Sequence, residues 1–474
     1  MNLFKKSPNL VMNKIKNDYY VFHKYYGNLS TLNEESYNFL NSYLNPSEPP
    51  LSSNDYYYDV FMSMQDNYFI NNVNENELLI VEGYAKERAA NYNKGDLIKA
   101  LQLIMSNGCN FNCKYCFQDS TDSNVNRLSS HSSNEPKEMT FSVADKAMRD
   151  IIDIVSLQEY PNLTVEFFGG EPLLNWDTIK QILDKYGNGN DTNVEISYII
   201  TTNASLINEE VIEYCKKYGV HVVVSFDSPS NFERVDANGR NTNERVIGIL
   251  KELCNNGLKP SINSVISKYT IDAYDYKGLI NLANSMGIKT IGLILDLDAD
   301  FGCENYSPEK LVEILINAYT YGTDLGMHIT GYWEKIFAQI NNTQPLCYVT
   351  GFKACPAIGC KISVEPSGAI FSCKCCTKQM GDINDLSRTF NNENYKAYVF
   401  ELFDLNEKCE KCDLSNFCSG VCIGTLEKRI SNELDRFEPN LCKIYKSITE
   451  KIIEYSYANN LLESIKPRKV GEAK

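Results

Sequence analysis

Short apolar runs alternate with amphipathic stretches from about residue 97 to residue 321, and this rhythm constrains the architecture more than any other feature. Runs over 101–105, 164–168, 195–201, 220–226, 260–266 and 290–295 read as strands. After a polar loop at 119–138, a helix begins near Phe141, with Phe141, Ala144, Met148, Ile151 and Val155 on one face. Further helices are expected over 176–186, 208–218, 243–254, 273–286 and 308–321. Ser307-Pro308 supplies an N-cap and a proline at the first helical position. Parallel neighbours need a crossover, so this alternation predicts an α/β fold with a parallel sheet. Six units are too few for an eight-stranded barrel. A partial (β/α)6, TIM-like barrel is expected, with its site at the C-terminal ends of the strands.

The flanking regions read differently. Residues 1–95 are rich in Tyr and Asn and contain no cysteine. A strand is expected at 19–25, a helix at 32–44 stopped by Asn45-Pro46 and Pro49-Pro50, and a second strand at 78–84. Together they predict a small α+β module. After about residue 346 the periodicity fades while Cys, Gly, Lys and Asp rise. A helix over 444–462 and a charged tail over 466–474 close the chain. This last region reads as a domain organised by metal, where ligation replaces part of a core.

The chain has 474 residues and 17 cysteines, with a net charge of −15. That charge argues against a partner held through its phosphates, so no nucleic acid is expected. There is neither a signal peptide nor an apolar run of about 18 residues, so no membrane partner and a cytoplasmic location are expected. In such a chain, clustered thiols bind metal or do chemistry more often than they form disulfides. Eleven of the 17 fall into three spaced groups.

The first group, Cys109-Asn-Phe-Asn-Cys113-Lys-Tyr-Cys116, follows the first strand. Three thiolates on one loop can hold three irons of a cubane and leave the fourth open. Structural zinc prefers four ligands. The triplet, with Tyr115 before its third cysteine, resembles the signature of radical S-adenosylmethionine (SAM) enzymes. Gly169-Gly170-Glu171-Pro172 follows the second strand and is similar to that family's GGEP motif. The resemblance implies a [4Fe–4S] cluster on Cys109, Cys113 and Cys116, whose open iron chelates SAM. Reductive cleavage would then give a 5′-deoxyadenosyl radical that abstracts hydrogen from a substrate. It also implies SAM contacts from Tyr115, Gly169, Gly170 and Glu171. Thr202-Asn203 and Ser225 stand where the family meets the ribose and carboxylate.

The second group is Cys355, Cys360 and Cys373. The third is Cys409, Cys412, Cys418 and Cys422, followed by Cys442. Eight cysteines would also serve two zinc sites. Their order and spacing resemble the SPASM domain, which carries two auxiliary [4Fe–4S] clusters, for three clusters in all. That resemblance assigns Cys355, Cys360, Cys373 and Cys422 to one cluster, and Cys409, Cys412, Cys418 and Cys442 to the other. Cys215, Cys254, Cys303, Cys347, Cys375 and Cys376 remain outside both sets. Cys215 and Cys254 read as core thiols, and Cys375-Cys376 as a loop pair beside a cluster.

SPASM enzymes mostly modify peptides. The resemblance therefore divides the chain into a leader-recognition module (1–95, winged-helix-like), a radical SAM core (96–345) and a SPASM domain (346–474). An exposed sheet edge in the first would hold an extended leader by strand addition. The expected activity is maturation of a ribosomally made, cysteine-rich precursor peptide through a thioether cross-link. Reduction would come from an outside donor such as a flavodoxin or ferredoxin. A sulfatase-maturating enzyme, oxidising Ser or Cys to formylglycine, is the alternative. Two features weigh against it: about a hundred residues precede the triplet, and Lys374 stands where that branch places an aspartate. An iron–sulfur electron carrier is the third reading, though a carrier needs no open iron. The histidines His23, His131, His221 and His328 suggest no role, and no catalytic acid or base stands out.

Overall fold

The computed structural model describes residues 2–50, 52–116, 136–189, 192–231, 233–297, 306–343, 355–401, 409, 411–418, 422–425, 427 and 439–467. Cys303, Cys347, His131 and most of the expected polar loop lie outside the described residues. The N-terminal module comprises β1 (Phe4–Lys6), β2 (Leu10–Ile15), β3 (Asp18–His23), β4 (Gly27–Leu32), α1 (Glu34–Ser42), α2 (Tyr58–Asp66), β5 (Ile70–Asn72) and α3 (Leu79–Asn91). β1 pairs with β5, and β2–β3–β4 form an antiparallel meander. Val21, Leu32, Leu40, Phe61, Met64 and Phe69 fill its core.

Two expectations for this module are corrected. The helix expected at 32–44 starts only at Glu34, because Leu32 ends β4 and Asn33 caps α1 by accepting from the Ser36 amide at 2.8 Å. The strand expected at 78–84 is the start of α3. The run Leu-Leu-Ile-Val suits a strand or a buried helix equally well. The strong helix formers that follow, Ala85 to Ala90, decide for helix.

The central sheet follows the expected rhythm. Its elements are β6 (Ala100–Ser106), α4 (Phe141–Val155), β7 (Asn162–Gly169), α5 (Trp176–Tyr186), β8 (Glu195–Thr202), α6 (Glu209–Tyr218), β9 (His221–Ser225), α7 (Asn243–Asn255), β10 (Ser261–Ile266), α8 (Tyr276–Ser285), β11 (Thr290–Leu295), α9 (Pro308–Asp324), β12 (His328–Thr330) and α10 (Tyr332–Ile340). Strands β6 to β12 are parallel and lie side by side in sequence order. Leu101, Leu103 and Met105 of β6 share one core with Ala144, Met148, Ile151 and Val155 of α4. The intervening residues, Gln102 among them, point to the opposite face.

The sheet is larger than the expected six strands. β12 spans three residues, too few to show a period of two. β13 (Lys361–Val364), from the cysteine-rich region, pairs parallel with the other side of β6, with Lys361 opposite Ala100. β14 (Ala369–Phe371) and β15 (Gly381–Asp382) extend the sheet to ten strands. The C-terminal helix α11 (Pro439–Ala458) packs on α9 and α10. Beyond it, β16 (Glu463–Ile465) pairs parallel with β4, and Ile465 enters the N-terminal core. A strand not expected from the sequence thus joins the first module, and residues 468–474 of the expected charged tail lie outside the described residues. No described helix is long and apolar enough to cross a membrane.

Candidate active site

The cysteine triplet lies on the loop leaving the C-terminal end of β6, and the end of β7 holds that loop. The Gly170 amide donates to the Ser106 carbonyl at 2.8 Å and the Glu171 amide to that of Gly108 at 2.9 Å. Gly169 has φ +140°, and a Cβ there would stand 2.2 Å from the Ser106 oxygen. One at Gly170 would stand 2.2 Å from the Gly108 oxygen. Both glycines are therefore demanded by the approach of strand to loop. On the other side, the Asn112 amide donates to Val235 at 2.9 Å and the Ala237 amide to Asn110 at 3.1 Å.

Glu171 is wholly buried. Its carboxylate accepts from Thr202 Oγ1 at 2.7 Å, the Asn203 amide at 2.7 Å and the Leu173 amide at 3.1 Å. It thereby fixes the end of β8 against the GGEP turn. Asn203 in turn donates to Asn110 at 2.9 Å and lies 3.8 Å from Cys109 Sγ.

Cys109, Cys113, Cys116, Tyr115, Gly169, Gly170, Asn203 and Ser225 all line one cavity of about 360 Å³. Glu171 stands behind that wall. Burial pushes the Cys113 thiol up to about 11, with the nearby Arg234 charge opposing the rise. Metal binding there must therefore release a proton.

Sequence reasoning missed Arg234 in this wall and Asp227 behind it. The Tyr115 hydroxyl donates to Asp227, and Arg234 Nη1 donates to Tyr115 Oη at 3.0 Å. Asp227 is buried and accepts from the Val265 amide at 2.9 Å. Arg234 Nε is buried with no hydrogen-bond partner among the described residues, and Arg234 lines the cavity. Asp227, just past the end of β9, carried a usable signal: a polar residue at the C-terminal end of a barrel strand. Arg234 had none.

The other thiols form two gatherings. Cys355 is close enough to Cys422 and Cys373 to feel their charge, and Tyr332 lies beside it. Cys442 likewise meets Cys418, Cys409 and Cys412. Cys360 is buried, and its carbonyl accepts from the Lys99 and Ala100 amides next to β6. No described group has the spacing of a single-ion site. A cubane, with its thiolates on separate irons, does not require that spacing. All described cysteines are free of disulfides. Tyr332, Cys375 and Cys422 line the same cavity as the triplet.

A buried polar chain ties the sheet to the cysteine-rich region. Lys361 Nζ pairs with Glu166 at 2.7 Å, and Gln102 Nε2 donates to Glu166 at 2.9 Å. The Lys374 amide donates to Gln102 Oε1 at 2.9 Å, while its ammonium meets Asn107 at 2.7 Å and Glu365 at 3.1 Å. Lys374, at the position that told against the sulfatase-maturating reading, thus grips the entry to the triplet loop.

Comparison with known proteins agrees with this geometry. The radical SAM superfamily model matches residues 103–274. The chain is 33% identical over 449 residues, 93% of each chain, to the radical SAM cyclopropyl synthase TigE of Paramaledivibacter caminithermalis. It is 22% identical over 384 residues to a cysteine-type anaerobic sulfatase-maturating enzyme of Clostridium novyi, covering 75% of this chain and 96% of that one. Among solved structures, native anSMEcpe with bound AdoMet and Cp18Cys peptide superposes with a TM-score of 0.60 at 20% identity, covering 77% of this chain and 99% of that one. Streptococcus suis SuiB bound to precursor peptide SuiA gives 0.53 at 18% identity, covering 92% and 99%. These two likenesses concern the fold. With a relative of such identity across nearly its whole length, this chain belongs to the radical SAM superfamily of enzymes.

Proposed function

We propose that the chain is a radical SAM peptide maturase, in which Cys109, Cys113 and Cys116 hold a [4Fe–4S] cluster and the adjoining cavity takes SAM and a segment of a precursor peptide. The observation that carries this reading is that single cavity, whose walls include the three thiols, an Arg234 Nε–H with no acceptor among the described residues, and the thiols of Cys375 and Cys422. The residues fit the groups. Three thiolates leave one iron of a cubane for an outside ligand, and a buried guanidinium N–H without an acceptor suits a carboxylate. Bound and reduced, the cluster and SAM supply a carbon-centred radical that removes hydrogen from an unactivated C–H bond.

The chain's own residues set where that happens. Gly169 and Gly170 hold the triplet loop to the sheet. Glu171 orders Thr202 and Asn203, and Asn203 steadies Asn110 beside Cys109. Tyr115, Ser225 and Arg234 shape the wall where SAM lies, with Asp227 keeping Tyr115 and Arg234 in place. Cys355, Cys360, Cys373 and Cys422 on one side, and Cys409, Cys412, Cys418 and Cys442 on the other, are proposed to hold two auxiliary [4Fe–4S] clusters. We keep the division into residues 1–95, 96–345 and 346–474, with a leader bound by the first and an outside flavodoxin or ferredoxin as reductant. The free thiols suit a reducing compartment such as the cytoplasm.

The bond formed is inferred from the nearly full-length likeness to a cyclopropyl synthase. Closure of a three-carbon ring within one side chain of the peptide replaces the expected thioether as our first reading. Both reactions break two bonds to hydrogen and form one new bond, so both remove two hydrogens. Mass alone does not separate them. The test is co-expression with a precursor encoded beside the gene, followed by mass spectrometry, thiol alkylation and NMR of the product. We expect a loss of about two mass units per site (the two hydrogens of one new bond), every cysteine still alkylable, and high-field cyclopropyl protons. Loss of an alkylable cysteine would restore the thioether, and an unmodified peptide would defeat the maturase reading.

A further inference from the structure

Asp296 is the one carboxylate among the described residues that line the reaction cavity. It follows β11 directly, at the C-terminal end where a barrel carries its chemistry. Ile291, Leu293 and Leu295 belong to the core. Side chains alternate along a strand, which sends Ile294 and Asp296 to the other face, and both line the cavity. Ile294 is 37% exposed there and pairs in register with Val265 of β10, another residue of the wall. The backbone at Asp296 is held in place. Its amide donates to the Ile266 carbonyl at 3.0 Å, and buried Tyr306 donates to that carbonyl at 2.7 Å and to the Asp296 carbonyl at 3.5 Å. Strands β7 to β10 lie between β11 and β6, so Asp296 and the triplet loop reach the cavity from well-separated strands. The carboxylates of Glu171 and Asp227 stand behind the wall and are engaged, Glu171 by Thr202 and Asn203, Asp227 by Tyr115 and Val265.

We propose that Asp296 is a catalytic residue, the base that takes the proton released when the new bond of the peptide closes. The inference rests on reading the chain as a peptide maturase. Closing a carbon–carbon bond requires two C–H bonds to break. One gives a hydrogen atom to the 5′-deoxyadenosyl radical and leaves a carbon with an unpaired electron. The other gives its proton to a carboxylate oxygen of Asp296 and leaves its electron pair. Of these three electrons, two form the new bond and the third passes to an oxidised iron–sulfur cluster. A side-chain carboxylate is ordinarily ionised at neutral pH, whereas tyrosine phenols and free thiols largely keep their protons. Asp296 is therefore the group of the wall best suited to accept one.

The test uses the full-length chain, reconstituted without oxygen, and the precursor encoded beside the gene, made with deuterium on carbon throughout. Wild type is expected to pass deuterium into 5′-deoxyadenosine and to release the modified peptide. Asp296→Asn is expected to pass deuterium as well. It should also bind the peptide as tightly as wild type in the unreduced state, where no turnover occurs. Its yield of modified peptide should fall by about 10²- to 10⁴-fold, the contribution of a positioned base. Asp296→Glu, which keeps the carboxylate, should recover part of the yield. A wild-type yield from Asp296→Asn would overturn the assignment. Loss of deuterium transfer or of peptide binding in that variant would overturn it too, because Asp296 would then be a structural or binding group. Absence of deuterium transfer by the wild type would instead defeat the maturase reading before Asp296 is examined.

Discussion

At the residue scale, two kinds of side chain hold the site: those that fix the triplet loop and those that join the sheet to the cysteine-rich region. Gly169 illustrates the first. Its φ of +140° and the 2.2 Å clash a Cβ would make predict that Gly169→Ala displaces the loop. The variant should fold yet bind less iron at the triplet, measured by iron content in a background lacking the auxiliary cysteines. Lys374 illustrates the second. Its ion pair with Glu365 is almost fully buried, at 8% and 7% side-chain exposure. Lys374→Met should cost about 3–5 kcal/mol by taking the ammonium away from a buried carboxylate. Lys374→Met/Glu365→Leu should recover most of that loss, as thermal unfolding would show. The meeting of the cysteine triplet with the Gly-Gly-Glu turn at one cavity was legible because both signals lie in spacing along the chain. The partnership of Lys374 with Asn107, of Tyr115 with Asp227 and Arg234, and of Cys375 with Gly424 joins residues tens to hundreds of positions apart, which no local pattern encodes.

At the element scale, β16 is the most consequential strand that the sequence did not reveal. It covers the outer side of β4, so among the described residues the edges of the four-stranded sheet are β16 and β2, and β2 is the longer of the two. If a leader peptide adds a strand to this module, hydrogen exchange should slow in β2 on leader binding while β16 stays unchanged. Slowed exchange in β16 instead would mean that the leader adds beyond the C-terminal strand, and faster exchange in β16 that the leader displaces it. Ile465 is buried in the N-terminal core, and Ile465→Ala should destabilise that module by about 2–5 kcal/mol. The long amphipathic helices and buried parallel strands of the central region were readable because their periodicity is sustained and strong. Strands β4, β12 and β16 were not, being polar, short or paired with partners far away in the chain. The run at 78–81 shows the remaining ambiguity, since its helical fate depends on the residues after it.

At the scale of the whole molecule, one sheet unites two stretches of sequence. β6 has the radical core's β7 on one side and β13 of the cysteine-rich region on the other. The triplet loop leaves that same strand, so the two thiol-bearing regions face one cavity by construction. The central claim is that this cavity cleaves SAM reductively at a cluster held by the triplet. Its most direct test is the anaerobic production of 5′-deoxyadenosine from SAM and dithionite, comparing the reconstituted wild type with Cys113→Ala. The account predicts steady production by the wild type and none above background by the variant, even with the eight downstream cysteines intact. Equal production by both proteins would contradict it.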